Sequence, residues 1–161
     1  PEYENYSNLE IVMDYSWNVL PDIFIKNPNI NLILVDGDHE TDSVIRELNL
    51  ILQYIPKTYT IILLHDTFYP PIRVAMDSIQ WNDYTHVHFV DLDLIQGTRW
   101  ELGCICNSNP LLNDISGMGR NGIYHLGFGM ILLMNKERDE PLEYYRSHQK
   151  VFDACKAKEP W

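Results

Sequence analysis

Cysteine, basic residues and early glycines are the scarce components of this 161-residue chain. There are three cysteines, Cys104, Cys106 and Cys155. Their odd number leaves at least one thiol unpaired. Cys104 and Cys106, two apart on an expected short strand, point to one face and suit a mutual disulfide poorly. A reduced, cytoplasmic setting is the simpler expectation. No second Cys/His pair follows at zinc-site spacing, so buried, unreactive thiols are expected rather than a metal site. Lys and Arg number 12 against 23 Asp and Glu, for a formal charge of −11. That imbalance disfavours a partner bound by neutralising phosphates, and no nucleic-acid partner is expected. No apolar run reaches the roughly 18 residues that a membrane span needs. No charged and then apolar leader opens the chain, so neither a membrane partner nor a signal peptide is expected. Of the eight glycines, Gly37 alone precedes position 97.

What is present is enough for one domain, able to bury about 70% of the surface its unfolded chain exposes. Two apolar runs dominate it, Leu32-Ile33-Leu34-Val35 and Thr60-Ile61-Ile62-Leu63-Leu64. The first leads into Asp36-Gly37-Asp38-His39 and the second into His65-Asp66-Thr67. Between them Val44, Ile45, Leu48, Ile51, Leu52 and Ile55 form one helical stripe, which Pro56 ends. A strand, a helix and a second strand in this order make a right-handed crossover, so the strands should lie parallel. Their carboxyl ends then share the sheet edge where open α/β folds place ligands. Asp36, Asp38, His39, His65 and Asp66 are expected to converge there. The fold expected is α/β and Rossmann-like, a mostly parallel sheet with flanking helices.

Elsewhere the pattern is uneven. Leu9–Met13 suits a short strand and Ser16–Phe24 a helical stretch or loop, with Pro21 able to start a turn of helix but not to sit inside one. Asn27-Pro28-Asn29 reads as a turn. Pro70-Pro71 should open a helix with Ile72, Ala75, Met76 and Ile79 on one side. His86–Asp93 alternates as a strand does, with His86 and His88 read as solvated positions on it. A further short strand is expected at Gly103–Cys106, a long loop at Asn107–Tyr124, an apolar strand at Gly127–Met134 and a terminal helix within Pro141–Lys158. Trp100 and Tyr144-Tyr145 read as packing residues.

Carboxylates and an imidazole held on loops over a rigid sheet suit a divalent cation. Mg²⁺ takes a few carboxylates plus waters and substrate oxygens, and histidine adds a ligand for Mn²⁺ or a base. Aspartate after a strand also caps the next helix, and Asp38 fits either role.

The stretch Leu32 to His39, a helix, and Ile61 to Thr67 resemble the fourth and fifth strands of class I S-adenosylmethionine-dependent methyltransferases. The subgroup most alike comprises metal-dependent O-methyltransferases acting on sugar or catechol-like hydroxyls, with cephalosporin-hydroxylase-like relatives. The likeness extends to Pro70-Pro71-Ile72-Arg73, Phe89-Val90-Asp91-Leu92-Asp93 and Gly127-Phe128-Gly129-Met130, and so spans most of residues 9 to 134. It implies S-adenosylmethionine and Mg²⁺ or Mn²⁺ as cofactors, and a small oxygen-rich molecule as acceptor. It implies Asp36, His65 and Asp66 as metal ligands, Asp36 also near the cofactor, and His39 as general base. Ser16 resembles the family's serine near the adenine pocket. Several relatives carry Glu-Asp where this chain has His65-Asp66. The family's glycine-rich cofactor turn has no counterpart before Asp36, which reads as truncation on the N-terminal side. Two rival readings are a nucleotide-sugar transferase gripping a diphosphate through Asp36-Gly37-Asp38, and a non-catalytic remnant domain. Assembly as a homo-oligomer stays open.

Overall fold

The computed structural model describes residues 7–99 and 124–156. Its helices are α1 (Ser16–Lys26), α2 (Thr41–Ile51), α3 (Pro70–Ser78) and α4 (Gln149–Lys156). Its strands are β1 (Leu32–Val35), β2 (Tyr59–His65), β3 (Val87–Ile95), β4 (Thr98–Arg99), β5 (Tyr124–His125), β6 (Phe128–Met134) and β7 (Glu143–Tyr145). Five strands form one sheet in the order β1-β2-β6-β3-β7, and β4 pairs separately with β5. The strand–helix–strand unit closes as expected, with β1 parallel to β2 and Leu32 opposite Ile61 through Val35 opposite Leu64. β6 runs antiparallel to both its neighbours, β2 and β3, while β7 is parallel to β3. The fold is therefore α/β, with one reversed strand in an otherwise co-directional sheet.

Burial explains the sheet's sidedness. Along β2, Thr60, Ile62 and Leu64 are buried while Ile61, Leu63 and His65 are half-buried, the period of two that strands impose. Ile62, Leu64, Ile131, Leu133, Val90 and Leu92 form the core with Val44, Leu48 and Ile51 of α2, Leu52 just after it, and Ile72, Ala75 and Met76 of α3. Each such side chain withdrawn from water contributes about 1.5–3 kcal/mol before entropy is counted. Gly129 on β6 lets the sheet close on this layer, because a Cβ there would stand 3.1 Å from Met76 Cε and 3.2 Å from the Asp91 and Leu92 carbonyls.

Several expectations are corrected. Leu9–Met13 forms no strand and is exposed, since hydrophobicity alone does not make a strand without a ladder partner. Pro21 does sit inside α1. Proline there removes one helical amide donor, and the helix has no buried residue. The stacking of Phe24 on Tyr54, at 4.6 Å, and of Arg46 over Trp17, at 4.7 Å, ties the helix to α2 and the turn after it. The α2 stripe stops at Leu52; Ile55 precedes Pro56, is pushed out of helical conformation and is exposed. The Pro141–Lys158 region is not all helix: Glu143–Tyr145 pairs on β3, and helix covers Gln149–Lys156. His86 is half-buried rather than fully solvated; its Nε2 is buried, and burial lowers its pKa below the ordinary histidine value. Trp100, Gly103–Cys106 with both their cysteines, and the expected loop up to Tyr124 lie outside the described residues; Tyr124 itself pairs with Arg99. Among the described residues no helix is long and apolar enough to cross a membrane.

The C-terminal segment is held by buried polar groups. Arg73 of α3 donates to Asp93 at 3.1 Å and to Gln149 at 2.6 Å, and its guanidinium lies over Phe152 at 4.6 Å. Asp93 accepts from the His148 amide, and Asp91 accepts from the amide and hydroxyl of Ser147. Burial pushes the Asp91 carboxyl up, but these donors outweigh it and hold its pKa below the ordinary value.

Candidate metal centre

The parallel pairing of β1 and β2 brings their last residues side by side, so Asp36 and Asp66, the next residues in the chain, leave the sheet at one edge. His65 is the last residue of β2, and His39 follows Asp36 in the turn that leads into α2. One oxygen or nitrogen from each of Asp36, His39 and Asp66 lies within 4.8 Å of the others. His39 Nε2 is 3.7 Å from Asp36 Oδ1 and also 3.7 Å from Asp66 Oδ2. His65 Nδ1 is 3.0 Å from Asp36 Oδ1 and 3.5 Å from Asp66 Oδ2. The aspartates differ in setting: the Asp36 side chain is 50% exposed and that of Asp66 only 8%. Negative charge is thus fixed at the bottom of the cluster and open to solvent at its rim.

Asp66 is held by its backbone and by its neighbours. Its φ is 55°, a left-handed conformation unusual for a residue with a side chain. The Tyr69 amide donates to its carbonyl at 2.8 Å, turning the chain into α3. The Leu126 amide donates to its Oδ1 at 2.5 Å. Leu126 also has a positive φ, 63°, and its carbonyl accepts from the Phe68 amide. Two unusual backbone conformations therefore face each other across the site and fasten one aspartate oxygen, the kind of local strain that clusters at functional sites. Gly127 makes this turn feasible. Its φ is 83°, and a Cβ there would stand 2.9 Å from Phe68 Cδ2 and 3.1 Å from both Gly97 N and Ile95 O.

The remaining candidates separate from this group. Asp38 accepts from the Glu40 amide at 3.3 Å and from the Ser43 hydroxyl at 2.6 Å. These bonds, Ser43 first, lower its pKa, and they assign it to the start of α2. Ser16 is the first residue of α1, a helix that packs on α2. Two rings border the cluster: Tyr69 lies 5.8 Å from the His39 ring and Phe128 lies 4.8 Å from His65. An apolar groove of about 360 Å³ between α1 and α2, lined by Pro21, Phe24, Ile25, Leu50 and Tyr54, includes none of the cluster.

Sequence reasoning missed the Leu126 amide, because a backbone donor leaves no trace in residue identity. The glycine after it was the available signal. The donor set suits a cation. Bonds of about 2.1 Å put neighbouring ligand atoms roughly 3.0–3.4 Å apart; in the triad His39 Nε2 stands 3.7 Å from an oxygen of each aspartate and all three atoms lie within 4.8 Å, so an ion would draw them slightly together. Compared with known proteins, the chain matches no family model, no curated protein and no solved structure.

Proposed function

We propose that the chain carries the metal centre of a divalent-metal-assisted O-methyltransferase, which moves a methyl group from S-adenosylmethionine to a hydroxyl of a small oxygen-rich acceptor. The observation that carries this reading is the meeting of Asp36, His39 and Asp66 at the carboxyl ends of two parallel strands. Open α/β sheets bind ligands at that edge. The likeness of Leu32–His39 and Ile61–Thr67 to paired methyltransferase strands supplies the reaction class.

Asp36, His39 and Asp66 would hold the ion, whose positive charge lowers the pKa of a nearby hydroxyl. Asp66, nearly buried and fastened by Leu126, fixes one side of the site; Asp36 forms its open rim. His65 takes the hydroxyl proton. An ionised carboxylate only accepts hydrogen bonds, so His65 Nδ1 carries the hydrogen that faces Asp36, and Nε2 of the neutral ring keeps its lone pair. S-adenosylmethionine, when bound, would supply an electrophilic methyl group to the acceptor oxygen that His65 has deprotonated, giving a methyl ether and a thioether. Positioning is the main source of rate in such a step. This assignment exchanges the two imidazole roles that the family resemblance implied, making His39 a ligand and His65 the base. Asp38, already engaged by Ser43 and Glu40, is poorly placed to grip a diphosphate, which disfavours the nucleotide-sugar reading.

The test is methyl transfer from S-adenosylmethionine to catechol and sugar hydroxyls in the presence of Mn²⁺ or Mg²⁺. Activity should disappear on chelation and fall at least about a hundredfold in Asp36→Ala and Asp66→Ala, as loss of a charge-stabilising group does. Undiminished turnover in both variants refutes the reading.

A further inference from the structure

The donor set is not all oxygen, and that bears on which ion it takes. Mg²⁺ favours octahedral oxygen ligands and retains several waters. Imidazole suits first-row transition ions, and affinity for a mixed nitrogen and oxygen site rises along that row. His39 Nε2 is equidistant, at 3.7 Å, from one oxygen of each aspartate. It therefore stands where a third ligand to an ion between them would stand. His65 lies outside this group of three and bonds Asp36 at 3.0 Å, the orienting contact that ligating carboxylates commonly receive. The three ligand residues come from two separate turns, and the one anchored on β2 is nine-tenths buried with an oxygen fixed by a backbone amide.

We propose that the centre selects a first-row transition ion over Mg²⁺, and that His39 makes the selection as its nitrogen ligand. The proposal rests on Asp36 and Asp66 forming an ion site and is independent of methyl transfer. It is tested on the full chain by calorimetric titration with Mg²⁺, Mn²⁺ and Co²⁺, and by spin-echo electron paramagnetic resonance of the Mn²⁺-loaded protein. Mn²⁺ should bind at least about tenfold more tightly than Mg²⁺, and Co²⁺ more tightly than Mn²⁺. The Mn²⁺ spectrum should carry the modulation of a directly bound imidazole nitrogen. His39→Asn, which substitutes an amide oxygen, should abolish that modulation and bring the three affinities together; His65→Asn should retain it. Equal affinity for Mg²⁺ and Mn²⁺, absence of nitrogen coupling, or its loss only in His65→Asn overturns the proposal. Failure to bind any of the three ions removes the metal centre altogether. Nitrogen-coupled Mn²⁺ in a protein that methylates no acceptor instead refutes the O-methyltransferase reading and leaves the metal selection standing.

Discussion

Replacing Gly127 by alanine should separate conformational control of the site from its chemistry. At φ 83° an alanine bears the left-handed penalty, about 1–2 kcal/mol relative to glycine. Its methyl would also meet Phe68 Cδ2 at 2.9 Å and two backbone atoms, Gly97 N and Ile95 O, at 3.1 Å. The phenyl ring of Phe68 is wholly buried and the backbone atoms belong to the end of β3 and the turn after it, so none yields cheaply. Overpacking of this kind costs about 1–3 kcal/mol. Together the terms give a loss of roughly 2–5 kcal/mol, a large share of the 5–15 kcal/mol that holds a typical domain. Gly37 is the internal control. It lies between the metal-site residues Asp36 and His39, yet its φ is not positive and a Cβ would find only Glu47 Oε2 at 3.9 Å, an ordinary contact. Gly37→Ala should therefore change stability by less than about 1 kcal/mol, in either direction. Urea unfolding followed by tryptophan fluorescence, to which the buried Trp81 contributes, measures both variants. Similar losses at the two positions, or a loss below about 1 kcal/mol for Gly127→Ala, would refute the argument from the Leu126–Gly127 turn.

Arg73→Met leaves Asp93 buried without its guanidinium partner and should cost about 3–5 kcal/mol by chemical denaturation; Arg73→Met/Asp93→Asn should recover at least half of that. Asp91 is held below its ordinary pKa in the folded chain, so its contribution to stability is complete above the ordinary carboxylate range and is lost as pH falls through the lowered value. Ser147→Ala removes the hydroxyl donor to that carboxylate and keeps the backbone amide donor, and an acid titration should find unfolding beginning at higher pH than in the parent chain. Ser43→Ala should loosen the start of α2 and lower the denaturation midpoint slightly with ion binding retained, because Asp38 serves the helix and not the cluster.

The β1–α2–β2 unit was legible because its periods are unmixed: two continuous apolar runs around a clean helical stripe, with proline at the end of the stripe. Once those strands are parallel, the adjacency of Asp36 and Asp66 follows from connectivity alone. The grouping of individual ligands did not follow. His39 and His65 are each consistent with ligation or proton transfer until side-chain directions are known, and Asp38 looks like a third acid until Ser43 is seen bonded to it. The reversed direction of β6 was hidden because an apolar strand carries no mark of its orientation. Leu9–Met13 has strand-like residues, but a strand is made by its partner. Pro21 inside α1 shows the converse, a local rule overridden by contacts that secure the helix on either side of the defect.

The central claim is that Asp36 and Asp66, brought together by parallel strands, share one cation. Crystals soaked in Mn²⁺ and measured near the manganese absorption edge test it most directly. The account predicts a single anomalous peak within about 2.5 Å of Asp36, His39 and Asp66 together. Absence of a peak at the β1 and β2 carboxyl ends, or an ion held there by one aspartate with the other turned away, would contradict it.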